Sequence, residues 1–335
     1  MNKQFTRRSA LAMAAAAATL PFASSTFAAG KPVLRLSSPA SETDQRAVAL
    51  IEKFAPAIAS FATFEPHWNA TLFKQGTELE AISRGNLDMA ITSAQELAVF
   101  FPEFSIFSAG YVHKDAAHQV KVFNDPLMEP MKKKVEDDLG VKLLTVMYLG
   151  RRQLNLRKSK AELTVKTPAD LKGVTLRMPG TDAWQFLGKA LGANPTPMAF
   201  TEIYTGLQTG AVDGQDNPLP TVVDAKFYEV TKQICLTSHL VDLNYLAISK
   251  KVFDALPADQ QAALLKASND AAEFGRQNQL KKEDDLIAFL KDKGLDVYEP
   301  DIKAFRDHVQ KLFLSSEYAA SWPKGMLDKI NALAS

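Results

Sequence analysis

Two arginine-bearing segments carry residue types and spacing suited to chemistry. Arg177 stands in Leu176-Arg177-Met178-Pro179-Gly180, where an apolar strand pattern runs into a breaker pair. Arg151-Arg152-Gln153 follows Val146-Met147-Tyr148-Leu149-Gly150 in the same way, a strand expected to end at glycine with two cations beyond it. A solvated charge is out of place at such positions. A guanidinium presents a rigid planar fork that meets a carboxylate through charge-assisted hydrogen bonds, each worth on the order of 1.5–3 kcal/mol. In open α/β sheets ligands collect at the carboxyl ends of strands, where Arg177 lies. The competing reading is a structural ion pair between Arg177 and an Asp or Glu, and the local sequence weighs the two evenly. Strand alternation alone does not say which of Arg151 and Arg152 faces inward.

The other chemistry-bearing residues exclude function classes more than they add them. His67, His113, His118, His239 and His308 include no pair at the three- or four-residue spacing that puts two ligands on one helix face, which argues against a catalytic zinc. Neither a nucleophile elbow nor a phosphate-binding glycine loop occurs. Asp213, Asp216 and Asn217 offer oxygens close together but lack the glutamate and spacing of a calcium loop. Cys235 is the only cysteine and sits between Ile234 and Leu236, so it reads as a buried thiol with no internal disulfide. No cofactor, metal or catalysis is expected, although a triad assembled from distant residues leaves no mark in sequence order.

The elements that must position the arginines follow a repeated grammar. Residues 1–29 carry Lys3, Arg7 and Arg8, an apolar run from Ala10 to Leu20, and small residues ending Thr26-Phe27-Ala28-Ala29, the layout of a cleaved secretion signal. Arg7-Arg8 also fits a twin-arginine signal, which leaves two export routes open. Without residues 1–28 the chain has 36 basic and 38 acidic side chains, a net −2 that draws it to no nucleic acid. No later segment reaches membrane-spanning length without a charge. The roughly 305 remaining residues suffice for two lobes with their own cores.

Val33-Leu34-Arg35-Leu36-Ser37 reads as a strand, followed by a helix with Ala47, Leu50, Ile51, Phe54 and Ile58 on one face. Thr77-Glu78-Leu79-Glu80 is a capping-box pattern, and Gly85 then leads into a strand over 87–92. Thr167-Pro168-Ala169-Asp170 opens a second such unit, closed by Gly173 before a strand over 174–178. A third runs from Thr201 through Gly210 into Val212-Asp213-Gly214. This alternation predicts an α/β class with mainly parallel sheets. From 257 to about 293 good helix formers carry an apolar stripe of Leu264, Ala267, Ala271 and Phe274. Such a helix spans about 50 Å, enough to lie across two lobes. Pro300 opens a last helix with Ile302, Phe305, His308, Val309 and Phe313 on or near one face, and no low-complexity linker interrupts the chain.

Beyond the leader the chain resembles the solute receptors of tripartite ATP-independent periplasmic (TRAP) transporters, of the dicarboxylate-receptor type. The likeness is densest in TPADLKGVTLRMP over 167–179 and PMAFTEIY over 197–204, and it continues through LQTGAVDGQDNP over 207–218. Lys226-Phe227-Tyr228-Glu229-Val230 and Thr237-Ser238-His239 follow at the family's spacing. The resemblance implies two α/β lobes that close on a ligand across a cleft crossed by strands and a long helix. Lobe I is expected over 30–151 plus about 240–275, and lobe II over 152–239 plus about 276–335.

It also implies that Arg177 holds the ligand carboxylate, that Arg152 occupies the second arginine position with Arg151 extra, and that Asn217 and Phe200 contact the ligand. The alternatives are that Asn217, before Pro218, is a turn residue and that Phe200 is core. Where sialic-acid receptors carry an asparagine, an aspartate and a glutamate, this chain has Pro39, Gln75 and Ser93. Asn69, Gln75, Ser93 and Gln95 are neutral groups that suit a polyhydroxylated ligand better than a second carboxylate. Trp184 is placed to stack on a sugar ring or to pack in the core. Residues 73–78 and 107–111 resemble hexuronate receptors, so D-glucuronate or D-galacturonate is the expected ligand, ahead of a dicarboxylate or a keto or hydroxy acid. The implied partners are the small and large membrane subunits of the transporter, met by a monomeric receptor in the periplasm. A secreted enzyme acting on an acidic substrate, and a receptor serving a membrane sensor, are the rival readings.

Overall fold

The computed structural model describes residues 30–334, so the expected leader over 1–29 lies outside the described residues. Its strands are β1 (Val33–Ser37), β2 (Thr63–His67), β3 (Met89–Ser93), β4 (Val141–Leu156), β5 (Thr175–Met178), β6 (Asn194–Pro197), β7 (Gly214–Pro218), β8 (Gln233–Ser249) and β9 (Asp296–Tyr298). They form one sheet in the order β2-β1-β3-β8-β4-β7-β5-β6, with β9 beside β8.

Two strands organise everything else. β4 and β8, 16 and 17 residues long, pair antiparallel from Val141 opposite Ser249 to Leu156 opposite Gln233. β3 joins β8 at residues 244–248, and β1 and β2 continue from it. At the other end β7 joins β4 at residues 152–156, followed by β5 and β6. The result is a two-lobed α/β fold whose halves share two strands. The expectation of mainly parallel sheets needs correction. The outer ladders are parallel, but β3–β8, β4–β7 and the long β4–β8 ladder are antiparallel. β4 carries the chain from the first half to the second and β8 brings it back, so the two crossings must run in opposite directions.

Gly150 does not end its strand as expected. β4 runs on to Leu156, and Gly150 sits at a register shift with φ +126°. A Cβ there would lie 2.6 Å from the Pro218 side chain and 2.8 Å from Glu283 Oε1, so the position is closed to other residues both in conformation and in space.

The first helical segment, 45–58, contains a π turn over Leu50–Phe54. The extra residue in that turn rotates the face, so Ala47, Leu50, Phe54 and Ile58 are buried while Ile51 turns outward. The expected capping box at Thr77 and Glu80 does not form. Thr77 Oγ1 donates to the Lys74 carbonyl, Glu78 accepts from Gly76 N at 2.7 Å, and Glu80 pairs with Arg84 instead. At Thr167 the pattern does form, with Asp170 accepting from Thr167 N at 2.8 Å, but it starts a single 3₁₀ turn, Pro168–Leu171.

The long helix Ala258–Asp292 buries Leu264, Ala267 and Ala271 with Leu34, Phe54 and Ile248 of the first half, and Leu290 with Ile203, Leu207 and Phe227 of the second. The last long helix, Ile302–Leu314, buries Phe305, Val309 and Phe313, whereas His308 is exposed. Residues beyond it return to the first half: Trp322 Nε1 donates to Ser105 Oγ at 2.9 Å, and His118 Nε2 meets the Ile330 carbonyl at 2.8 Å. Among the described residues no helix is long and apolar enough to cross a membrane.

Candidate ligand-binding cleft

Arg177 lies in β5, 1% exposed, between Leu176 and Met178, which point into the core. Its Nε donates to the Met198 carbonyl at 2.8 Å, and Nη2 is buried without a partner. Burial pulls its pKa down to about 9, against the pull of Asp216. No carboxylate stands within ion-pair distance of it among the described residues, so the competing structural ion pair is not made. A buried donor edge left open costs free energy that an incoming carboxylate recovers.

Arg152, in β4, is committed to the protein. Its Nε donates to Asp242 at 2.7 Å, and its Nη1 donates to the Asp216 carbonyl at 2.8 Å and approaches the Asp216 carboxylate at 3.2 Å. The guanidinium stacks 4.3 Å from the centroid of Trp184. Burial opposes the charge on Asp216, but Arg152 and His239, whose Nε2 lies 3.1 Å away, outweigh it and hold the carboxyl below its usual range. Arg151 faces the opposite way, its Nη2 on the Lys114 carbonyl at 3.1 Å. Asn217, at the end of β7, donates to Gln215 at 2.5 Å, which in turn donates to Asn155 at 3.1 Å, so a chain of buried amides fixes its orientation.

The first half contributes from three elements. Arg46, in the first helix, is forked onto Asp44 through Nε and Nη2, both at 2.8 Å, and Nη1 reaches Asn244 of β8. Gln75 Oε1 accepts from Phe200 N at 3.0 Å, a hydrogen bond that crosses the cleft from one half to the other. Ser93 ends β3 and caps the helix Ala94–Leu97, accepting from Glu96 N at 3.1 Å while Glu96 Oε2 accepts from Ser93 N at 2.8 Å and Thr92 Oγ1 at 2.9 Å. Burial raises the pKa of Glu96, and burial with the Glu96 charge pushes Glu78 behind it up to about 8.

These groups converge on one cleft of about 540 Å3 of empty space. Arg177, Arg152, Asn217, Phe200, Gln75, Ser93 and Trp184 all line it. Trp184 is 2% exposed, and its ring packs in the core and against Arg152. Asn69 and Gln95 do not line the cleft. Asn69 is exposed in a turn with φ +56°, and Gln95, 1% exposed, faces a separate pocket beside Asp182 and Tyr318. No local pattern points to Arg46, Asn244 or Thr221, which line the cleft from a helix, the returning strand and a second helix. Glu96 does carry a local signal, Ser93 followed three residues later by Glu.

Two α/β halves closing a cleft around one unpaired guanidinium define a solute-binding protein for small acids. The match of residues 47–319 to bacterial extracellular solute-binding protein family 7, DctP, shows that the chain belongs to that family, the receptors of TRAP transporters. A TRAP periplasmic solute-binding protein from Roseobacter denitrificans, crystallised with 3-deoxy-D-manno-oct-2-ulosonic acid (KDO), is 69% identical, covers 90% of this chain and 99% of its own, and superposes with a TM-score of 0.90. The 2,3-diketo-L-gulonate-binding periplasmic protein of Escherichia coli is 31% identical over 71% of this chain and 72% of its own. The sialic acid-binding periplasmic protein of Vibrio cholerae is 29% identical over 76% and 77%.

Proposed function

We propose that this chain is a periplasmic receptor for a sugar acid of the KDO type, which it binds without chemical change and delivers to the small and large membrane subunits of a TRAP transporter. The observation that carries the reading is the buried Arg177 edge, open toward a cleft whose other arginines are already paired. The KDO-bound relative, at 69% identity, favours this eight-carbon acid over the hexuronates expected from the sequence. A six-carbon sugar acid is the second reading, favoured by the diketogulonate receptor and by the neutral Gln75 and Ser93 in the cleft. The leader over 1–29 supports export, with the twin-arginine route suggested by Arg7-Arg8. Lobe I then comprises about 30–151, 240–275 and 317–334, the last segment added for its contacts with Ser105 and His118, and lobe II the remainder.

The test is a thermal shift and titration series with KDO, D-glucuronate, D-galacturonate and succinate. A ligand at 100 times its Kd adds about 2.7 kcal/mol to stability. KDO is expected to give the largest shift, and Arg177→Lys, which keeps the charge but not the fork, is expected to lose at least about 100-fold in affinity with its melting temperature nearly kept. Undiminished binding by that variant would remove Arg177 from the site.

A further inference from the structure

The three guanidiniums of the cleft are unequally committed. Arg46 places Nε, Nη1 and Nη2 on Asp44 and Asn244, and Arg152 places Nε and Nη1 on Asp242 and Asp216. Arg177 alone meets no carboxylate among the described residues. Three buried aspartates are taken up by two arginines, and the one guanidinium of the cleft with an open donor edge is Arg177, which suits one ligand carboxylate and not two.

The acidic group that lines the cleft from the first half is Glu96. Its Oε2 is pinned by Ser93 N and Thr92 Oγ1, while Oε1 has no hydrogen bond among the described residues. The capping box holds this carboxyl in place, so it cannot swing away from what enters. The titratable and charged groups around it are Glu78, which burial pushes up to about 8, and Asp242, with Arg46, Arg152 and Arg177 elsewhere in the cleft.

We propose that Glu96 sets the specificity of the cleft: its free Oε1 receives a hydroxyl of the ligand and turns away any acid that carries a second carboxylate. The proposal rests on the sugar-acid reading above and goes beyond it to the selection between monoacids and diacids. A hydroxyl supplies the donor that Oε1 lacks, and an acceptor already held in place loses little freedom when it is bonded. A second carboxylate supplies no donor to Oε1 and sets a further acidic group among Glu96, Glu78 and Asp242.

The experiment is calorimetric titration of wild type and Glu96→Gln with KDO and with galactarate, a sugar acid bearing a carboxylate at each end. Glutamine keeps the acceptor oxygen of the capping box, so the variant should fold. Wild type is expected to bind KDO and to hold galactarate at least about 100-fold more weakly. The variant is expected to lose about tenfold for KDO and gain about tenfold for galactarate. If KDO affinity or galactarate rejection is unchanged in the variant, Glu96 is not the determinant. A crystal structure of the wild-type complex is the second measurement: Glu96 Oε1 within about 3.2 Å of a ligand hydroxyl supports the assignment, and a greater separation overturns it. If wild type binds no sugar acid at all, the reading underneath fails first and takes this proposal with it.

Discussion

Glu78 and Glu96 make the residue scale testable without any ligand. Burial, then the Glu96 charge, raise Glu78 from an ordinary value near 4.5 to about 8 in the folded chain. Between those two pH values the folded state keeps a proton that the unfolded chain has released. Stability must therefore fall as pH rises from about 4.5 toward 8, and level off above it. Glu78→Gln is expected to flatten that fall and to be the more stable protein at pH 8 by up to a few kcal/mol, read from urea midpoints across pH. Parallel pH profiles for the two proteins would show that Glu78 ionises freely. The same neighbourhood shows how far residue-level reading reaches. Arg177 is legible because a cation inside an apolar strand before Pro179-Gly180 is anomalous by itself. Extending the alternation of β3 past Ser93 selects Gln95 and passes over Glu96, but the chain turns helical at Ala94 and the next inward side chain comes one residue later. Arg46 and Asn244 are not legible because they are brought together across about 200 positions of sequence.

At the scale of elements, Gly150 carries the clearest expectation. Its φ of +126° and the 2.6 Å that would separate an added methyl group from Pro218 leave no room for a side chain where β4 passes between the halves. Gly150→Ala is expected to cost about 2–4 kcal/mol, combining backbone strain with overpacking, and to lower the melting temperature accordingly. A loss under about 1 kcal/mol would mean that β4 yields locally at this point. Elements with strong local signals are legible to within a residue or two: β1, the helix Ala258–Asp292 and the turn at Thr167. What local pattern does not contain is where a strand stops when its partner continues. The glycine before Arg151 looks like an end because nothing nearby in sequence reveals that β8 accompanies β4 beyond it. The direction of the central ladder is hidden for the same reason.

Across the whole molecule, the Gln75–Phe200 hydrogen bond links the two sides of the cleft directly, protein to protein. A single neutral hydrogen bond contributes about 1 kcal/mol, roughly a fivefold change in a two-state population. Gln75→Ala is expected to increase the radius of gyration of the ligand-free protein measured by small-angle X-ray scattering, with a smaller difference once ligand is bound. Identical scattering curves for the two ligand-free proteins would mean that other contacts hold the cleft closed.

The two shared strands also bear on how the chain comes to be folded. β3 has its inner neighbour, and β4 its longest ladder, in residues 233–249, which are synthesised after residues 152–232 of the second half. The first half therefore cannot close its sheet from its own early sequence, and a fragment ending near residue 151 would present two unpaired strand edges. A chain emerging amino end first has to carry that unfinished half until the returning strand arrives, so the molecule reaches its native state as one late event and not lobe by lobe.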